Sequence, residues 1–190
     1  MHASLPILAL TSLTTAFPLT SPRPCFVIGP SETETETAET VTALARIVTC
    51  SHEIKTIAGV PDVQSGSLSF SSIDFSSSSS SDKSPLRYAL STFATTADPL
   101  ASSDLSYFQD ALNAYLATEA GVRSVENGSL DIEVPRLFLQ MQVSRIRTAQ
   151  GDRPFEPELQ VDRLRDEILE SAAGEDQVLL DQVMGLAKEQ

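Results

Sequence analysis

From Ser84 to the end of the chain one pattern recurs: a helix-starting residue, apolar side chains at three- and four-residue spacing, then glycine or proline. Ser84 and Pro85 open PLRYALSTF as N-cap and first helical residue. Beyond Asp98 and Pro99, the stretch SDLSYFQDALNAYLATEAG sets Leu105, Phe108, Leu112, Tyr115 and Leu116 on one face, against Ser106, Gln109, Asp110 and Asn113, with Gly121 as the stop. Pro135 restarts a helix in RLFLQMQVSRIRTAQG, whose apolar residues reach most of the way round, as a central helix requires. ELQVDRLRDEILESAAG and EDQVLLDQVMGLA, parted by Gly174, predict a helical hairpin over residues 157–190. Helices joined by short connections bury their apolar stripes against one another, which makes a bundle.

The segment SETETETAETVTALARIVTCSHEIKTIAGVP begins with a capping-box pattern, Ser31 with Glu34, and ends at Gly59 and Pro61. Val41, Leu44, Ile47, Val48, Ile54 and Ile57 would cover most of such a helix, so it is expected to be long and buried on several sides, with His52 facing the core. A lone helix has nothing to bury that surface against, so it must pack on the helices after Pro85. The serine-rich stretch between them, with six consecutive serines from Ser76 to Ser81, is then a mobile surface loop over 65–83 and not a linker. Leu68, Phe70, Ile73 and Phe75 would lie on the bundle as an extended segment or a short strand. RSVENGSLDIEV loses the helical period and gains a turn at Asn127 and Gly128, which reads as a short β element. The expected fold is therefore mainly α: a single helical-bundle domain of about six helices over 17–190, with a disulfide-tethered N-terminal extended segment.

That tether follows from compartment. MHASLPILALTSLTTA has the apolar run and the small residues Thr14 and Ala16 of a secretory signal peptide, 1–16. No later stretch is apolar enough to span a bilayer, and GLAKEQ lacks a lipid-anchor tail, so a secreted, extracellular product is expected. In an oxidising compartment Cys25 and Cys50 pair, tying PRPCFVIGP to the helix that follows and contributing about 3 kcal/mol. Asn127, Gly128 and Ser129 form an N-glycosylation sequon on a turn. A net charge of -13, from 13 basic and 26 acidic residues, repels nucleic acid and anionic lipid alike. The serine, threonine and alanine content is in the style of a microbial, fungal extracellular protein.

The inventory of chemistry is short. There is no G-x-S-x-G elbow, no phosphate-binding glycine loop and no dinucleotide fingerprint, so no cofactor is expected. His52 and Glu53 begin like a zincin motif but lack its second histidine. Asp162, Asp166 and Glu170 recur every four residues and offer hard oxygen donors to a metal such as calcium; without a loop to wrap the ion they read first as a solvated acidic face relieved by Arg163 and Arg165. Arg145 leaves the polar stripe of Arg136 and Arg147 and projects between Phe138 and Met141, making these three the ligand-facing set. The leading reading is a small secreted, non-enzymatic interaction protein whose partner is a protein or a cell-wall or host-surface component. The alternative is an extracellular carrier of a small apolar ligand, held between Phe138 and Met141 with Arg145 on a carboxylate head. A hydrolase run by paired carboxylates is the second alternative.

Intact mass of protein recovered from a eukaryotic secretory host tests the compartment. The expected chain starts at Phe17, holds no alkylatable thiol before reduction and loses sugar mass at Asn127 on glycosidase treatment. A chain starting at Met1 with free thiols and no sugar would contradict it.

Overall fold

The computed structural model describes residues 23–30, 35–77, 84–95, 97–125 and 132–189. The chain runs through α1 (Thr35–Leu44), β1 (Val48–Lys55), β2 (Pro61–Ser65), β3 (Leu68–Ser69), α2 (Pro85–Phe93), α3 (Leu105–Arg123), α4 (Glu133–Ala149), α5 (Val161–Ser171) and α6 (Gln177–Lys188). The fold is mainly helical, with a small antiparallel sheet in the order β1-β2-β3. The signal-peptide residues and the Asn127 sequon lie outside the described residues.

The expected long helix after Ser31 is corrected. Among its described residues α1 is the only α-helix; a turn at 45–47 leads into β1, which pairs antiparallel with β2, and Ile57–Gly59 form a 3-10 turn between the two strands. The apolar positions that would have encircled one helix are divided between α1 (Val41, Leu44), the turn (Ile47), β1 (Val48, Ile54) and a 3-10 turn (Ile57). β-Branched Val48, Thr49 and Ile54 favour an extended chain over a helix. Ala58 and Gly59 adopt positive φ, 53° and 80°, and reverse the chain. His52 therefore stands exposed on β1 instead of facing the core. The Cys25–Cys50 disulfide is present, with its Cα atoms 6.0 Å apart, and it fastens the N-terminal segment to a strand and not to a helix.

The sheet and the chain that follows it are pinned to α3. Ser65 Oγ donates to Asp110 Oδ1 at 2.8 Å, and Tyr115 donates its hydroxyl to the carbonyl of Ile73 at 2.7 Å. Buried Asp62 accepts from the amide of Ser71 at 2.8 Å and from its hydroxyl at 2.6 Å. Phe70, Ile73 and Phe75 are buried in the same core as the helices, so the first part of the serine-rich stretch packs, while residues 78–83 lie outside the described set. Rings join the two halves: Phe70 and Phe93 each meet Tyr115 edge-on, with centroids 5.1 and 5.8 Å away.

α2 and α6 form where their signals stand, while α4 starts at Glu133, two residues ahead of Pro135. Ser84 Oγ caps α2 by accepting from the Arg87 amide at 3.3 Å, and Asp176 caps α6 through the Val178 amide at 3.0 Å. α4 is the central helix, with Leu137, Phe138, Leu139, Met141 and Ile146 all buried. α5 and α6 form the C-terminal hairpin over it. One stop is misplaced: Gly121 lies inside α3, which continues to Arg123. Its role is close approach, because a Cβ there would come 2.5 Å from the Phe26 carbonyl oxygen and 2.8 Å from Val60 Cγ1.

Two glycine substitutions separate these effects. Gly121→Ala should lower stability by about 1–3 kcal/mol through overpacking, although alanine is the better helix former. Gly185→Ala in α6, where a Cβ meets nothing within 4 Å, should raise it by roughly 0.5–1 kcal/mol. Denaturant midpoints read both; equal responses would remove the close-approach account.

Candidate functional site

The helix α3 buries small side chains where large ones were expected. Ala111, Ala114, Ala117, Thr118 and Gly121 are buried together with Phe108 and Tyr115, and let the sheet and the N-terminal segment approach closely. Leu105, Leu112 and Leu116, which the sequence assigned to the core face, are only half-buried. Leu112 and Leu116 instead form the floor of a groove between α3 and α4.

The groove has one apolar stretch and one charged end. Leu112, Leu116 and Val143 line a cavity of about 400 Å³, closed at one side by Pro154 and Leu159 and rimmed by Gln109, Asn113 and Gln140. The connection from α4 to α5 is fixed against it, since Ser144 Oγ donates to the Leu159 carbonyl at 2.6 Å and Arg147 Nε to Asp152 at 2.8 Å. Gln160 reaches back to the carbonyl of Pro154 and accepts from Arg153 at 2.7 Å. Next to Pro154 in this hydrogen-bonded turn, Phe155 is 96% exposed.

At the other end Leu116 also lines a second cavity, of about 300 Å³, with Val41 and Leu44 of α1. Its charged wall is Glu119, Arg123 and Arg136. Buried Glu119 accepts from Arg123 at 2.8 and 3.2 Å, and its other oxygen lies 2.7 Å from Arg136 Nε. Arg136 Nη1 donates to Gln140 at 3.0 Å, which links this end to the rim of the first cavity. Contacts of Glu119 with Arg136, and of Gln150 with the carbonyl of Ala101 at 3.0 Å, set α3 and α4 antiparallel along the whole groove.

The residues singled out in the sequence lie elsewhere. Phe138, Met141 and Arg145 are fully buried and line neither cavity. Arg145 donates to Gln142 Oε1 at 2.6 Å and to the Glu189 carbonyl at 3.3 Å, with the exposed Glu189 carboxylate 3.5 Å away. Burial pulls its pKa down and Glu189 opposes the shift. Asp162 and Asp166 are exposed and both bonded by Arg165, at 2.6 and 2.7 Å, while Glu170 is exposed further along α5. Those bonds raise the pKa of Arg165, that to Asp166 first. Among the described residues no three histidine, cysteine, aspartate or glutamate side chains converge as a metal site would require.

Sequence reasoning missed Leu112, Leu116, Val143, Glu119 and Phe155. A signal for the first two was present: the small residues Ala111, Ala114, Ala117, Thr118 and Gly121 recur at three- and four-residue spacing, marking the face of closest helix packing. Glu119 and Arg123 stand four apart and form a helical ion pair. Nothing local flags Phe155.

The setting of Arg145 makes a prediction. Its desolvation is poorly offset by a 3.5 Å contact to an exposed carboxylate, so Arg145→Leu should stay within about 1.5 kcal/mol of the parent or exceed it. Arg145→Ala, which leaves a cavity, should lose about 3 kcal/mol or more in urea unfolding. Equal losses would mean that the charge itself holds α4 and α6 together.

No curated protein and no solved structure matches the chain. A family model does: the one described as a domain of unknown function, DUF7143, matches residues 27–190, which contain every element from α1 to α6 and the whole groove. The chain belongs to the DUF7143 family.

Proposed function

We propose that this protein is a small secreted, non-enzymatic interaction protein that recognises its partner through the α3–α4 groove. The observation that carries the reading is the coincidence of an apolar floor, a hydrogen-bonding rim and the exposed ring of Phe155 on a hydrogen-bonded turn. Interfaces concentrate their energy on such aromatic anchors beside a pocket, ringed by polar groups that set orientation. The disulfide supports an oxidising compartment, because such bonds persist there and are rare in the cytosol. The buried carboxylates are engaged in holding the fold, Asp62 by Ser71 and Glu119 by two arginines, which favours binding over acid-base chemistry. The partner in this reading is a protein or a cell-wall or host-surface component.

The groove's volume supports a second reading, a carrier of a small apolar ligand. At about 400 Å³ the main cavity falls within the span of about 300–1,000 Å³ typical of small-molecule sites. In this reading the ligand lies over Leu112, Leu116 and Val143 and not against Phe138 and Met141.

Side-by-side capture from the protein's own medium and cell-surface material tests the first reading. Immobilised parent should retain a partner that Phe155→Ser and Val143→Lys lose, each by about tenfold or more, as expected for central anchors. Retention of the same material by all three would refute recognition at this groove.

A further inference from the structure

The two ends of the groove differ in charge, and the difference selects a ligand. Among the described residues that line the end near Leu116, Arg123 and Arg136 carry two positive charges against the single carboxylate of Glu119, a local surplus of one in a chain whose net charge is -13. Arg147, on the opposite rim, is neutralised by Asp152 at 2.8 Å. Glu133, in the same turn as Arg136, forms no ion pair with it. Glu39 of α1 lines a separate hollow with Thr42 and Arg46.

The guanidinium groups are also incompletely used. A guanidinium has five N–H donors in a planar fork. Arg136 donates Nη1 to Gln140, while its Nε lies 2.7 Å from Glu119 as an ion pair without a hydrogen bond, and Arg123 commits Nε and Nη2 to Glu119. Arg136 Nη2 and Arg123 Nη1 have no bonded partner among the described residues. Both residues line the smaller cavity, and Leu116 continues from it into the apolar stretch of Leu112 and Val143. From Leu112 to Glu119 the helix advances about 10 Å, the length of a medium acyl chain.

We infer that the groove is the site of a small amphipathic monocarboxylate, its apolar body over Leu112, Leu116 and Val143 and its carboxylate on the free nitrogens of Arg123 and Arg136. This rests on the carrier reading and names the ligand class. A single surplus positive charge matches a monoanion; a dianionic phosphate would leave negative charge in a chain already strongly acidic. The planar guanidinium fork fits a planar carboxylate with paired hydrogen bonds.

Titration calorimetry on the full chain with decanoate and with decanol, the same chain without the charge, tests the inference. Decanoate should bind about tenfold or more tightly than decanol, the effect of a charge-assisted hydrogen bond in a partly desolvated site. Arg136→Gln should lower decanoate affinity far more than decanol affinity and so erase that preference. Glu119→Gln, which removes the neutralising carboxylate, should keep or widen it, an outcome that a merely structural role for the cluster would not give. Circular dichroism and melting temperature establish that each variant folds; where one does not, the comparison in the parent chain still decides. Equal binding of decanoate and decanol, with both lost in Val143→Lys, would overturn the carboxylate inference and leave the carrier reading standing. Binding of neither would overturn both.

Discussion

The close packing of α3 governs the rest of the molecule. The helix is covered on one side by the sheet, on another by α4 and at its end by the N-terminal segment, and such approach is possible only where side chains are small. Ala111, Ala114, Ala117 and Gly121 supply that surface, and Phe26 and Val60 sit against the last of them. Ser124, just past the helix, accepts the amides of Ile28 and Gly29 at 3.1 and 2.9 Å, so the N-terminal segment is held at the same end by hydrogen bonds. The disulfide from Cys25 to β1 then closes the third side of this corner.

Giving the closest contacts to small residues displaces the large ones. Leu112 and Leu116 face the seam with α4, where Val143 and the anchored turn at Pro154 meet them without filling the space. A groove with an apolar floor is the geometric remainder of that arrangement. Its charged end has a related origin: Glu119 is buried by the same close packing, and a buried carboxylate requires cationic partners, which α3 supplies four residues on and α4 supplies from its first turn. Two arginines on one carboxylate leave the surplus charge that distinguishes this end.

Much of this was legible in the sequence, because helix starts are chemical. Ser84 with Pro85, Asp98 with Pro99 and Gly174 punctuate the later chain ahead of α2, α3 and α6, whereas Pro135 falls inside α4, which starts at Glu133. The cysteine pair was legible from its even number and the compartment expected from the N-terminal residues. The stretch after Ser31 was not, since its apolar residues fit helical and extended periods alike over a short run, and pairing with β2 decides the matter. Core positions were misread on α3 because hydrophobicity ranks leucine above alanine, whereas the space between elements ranks size first. Arg145 stood out correctly as a buried arginine, but period alone could not say that its partners would be Gln142 and the end of α6.

Other apolar side chains also reach solvent, Ile47 and Ile54 around β1 and Val178 on α6 among them, and they offer the direct comparison. Methyl-resolved NMR of the labelled protein, titrated with material fractionated from its own medium, reports which apolar surface is touched. The account requires the methyl signals of Leu112, Leu116 and Val143 to move together, with those of buried Leu139 and Ile146 unaffected. Shifts confined to Ile47, Ile54 or Val178, with the groove residues silent, would contradict it.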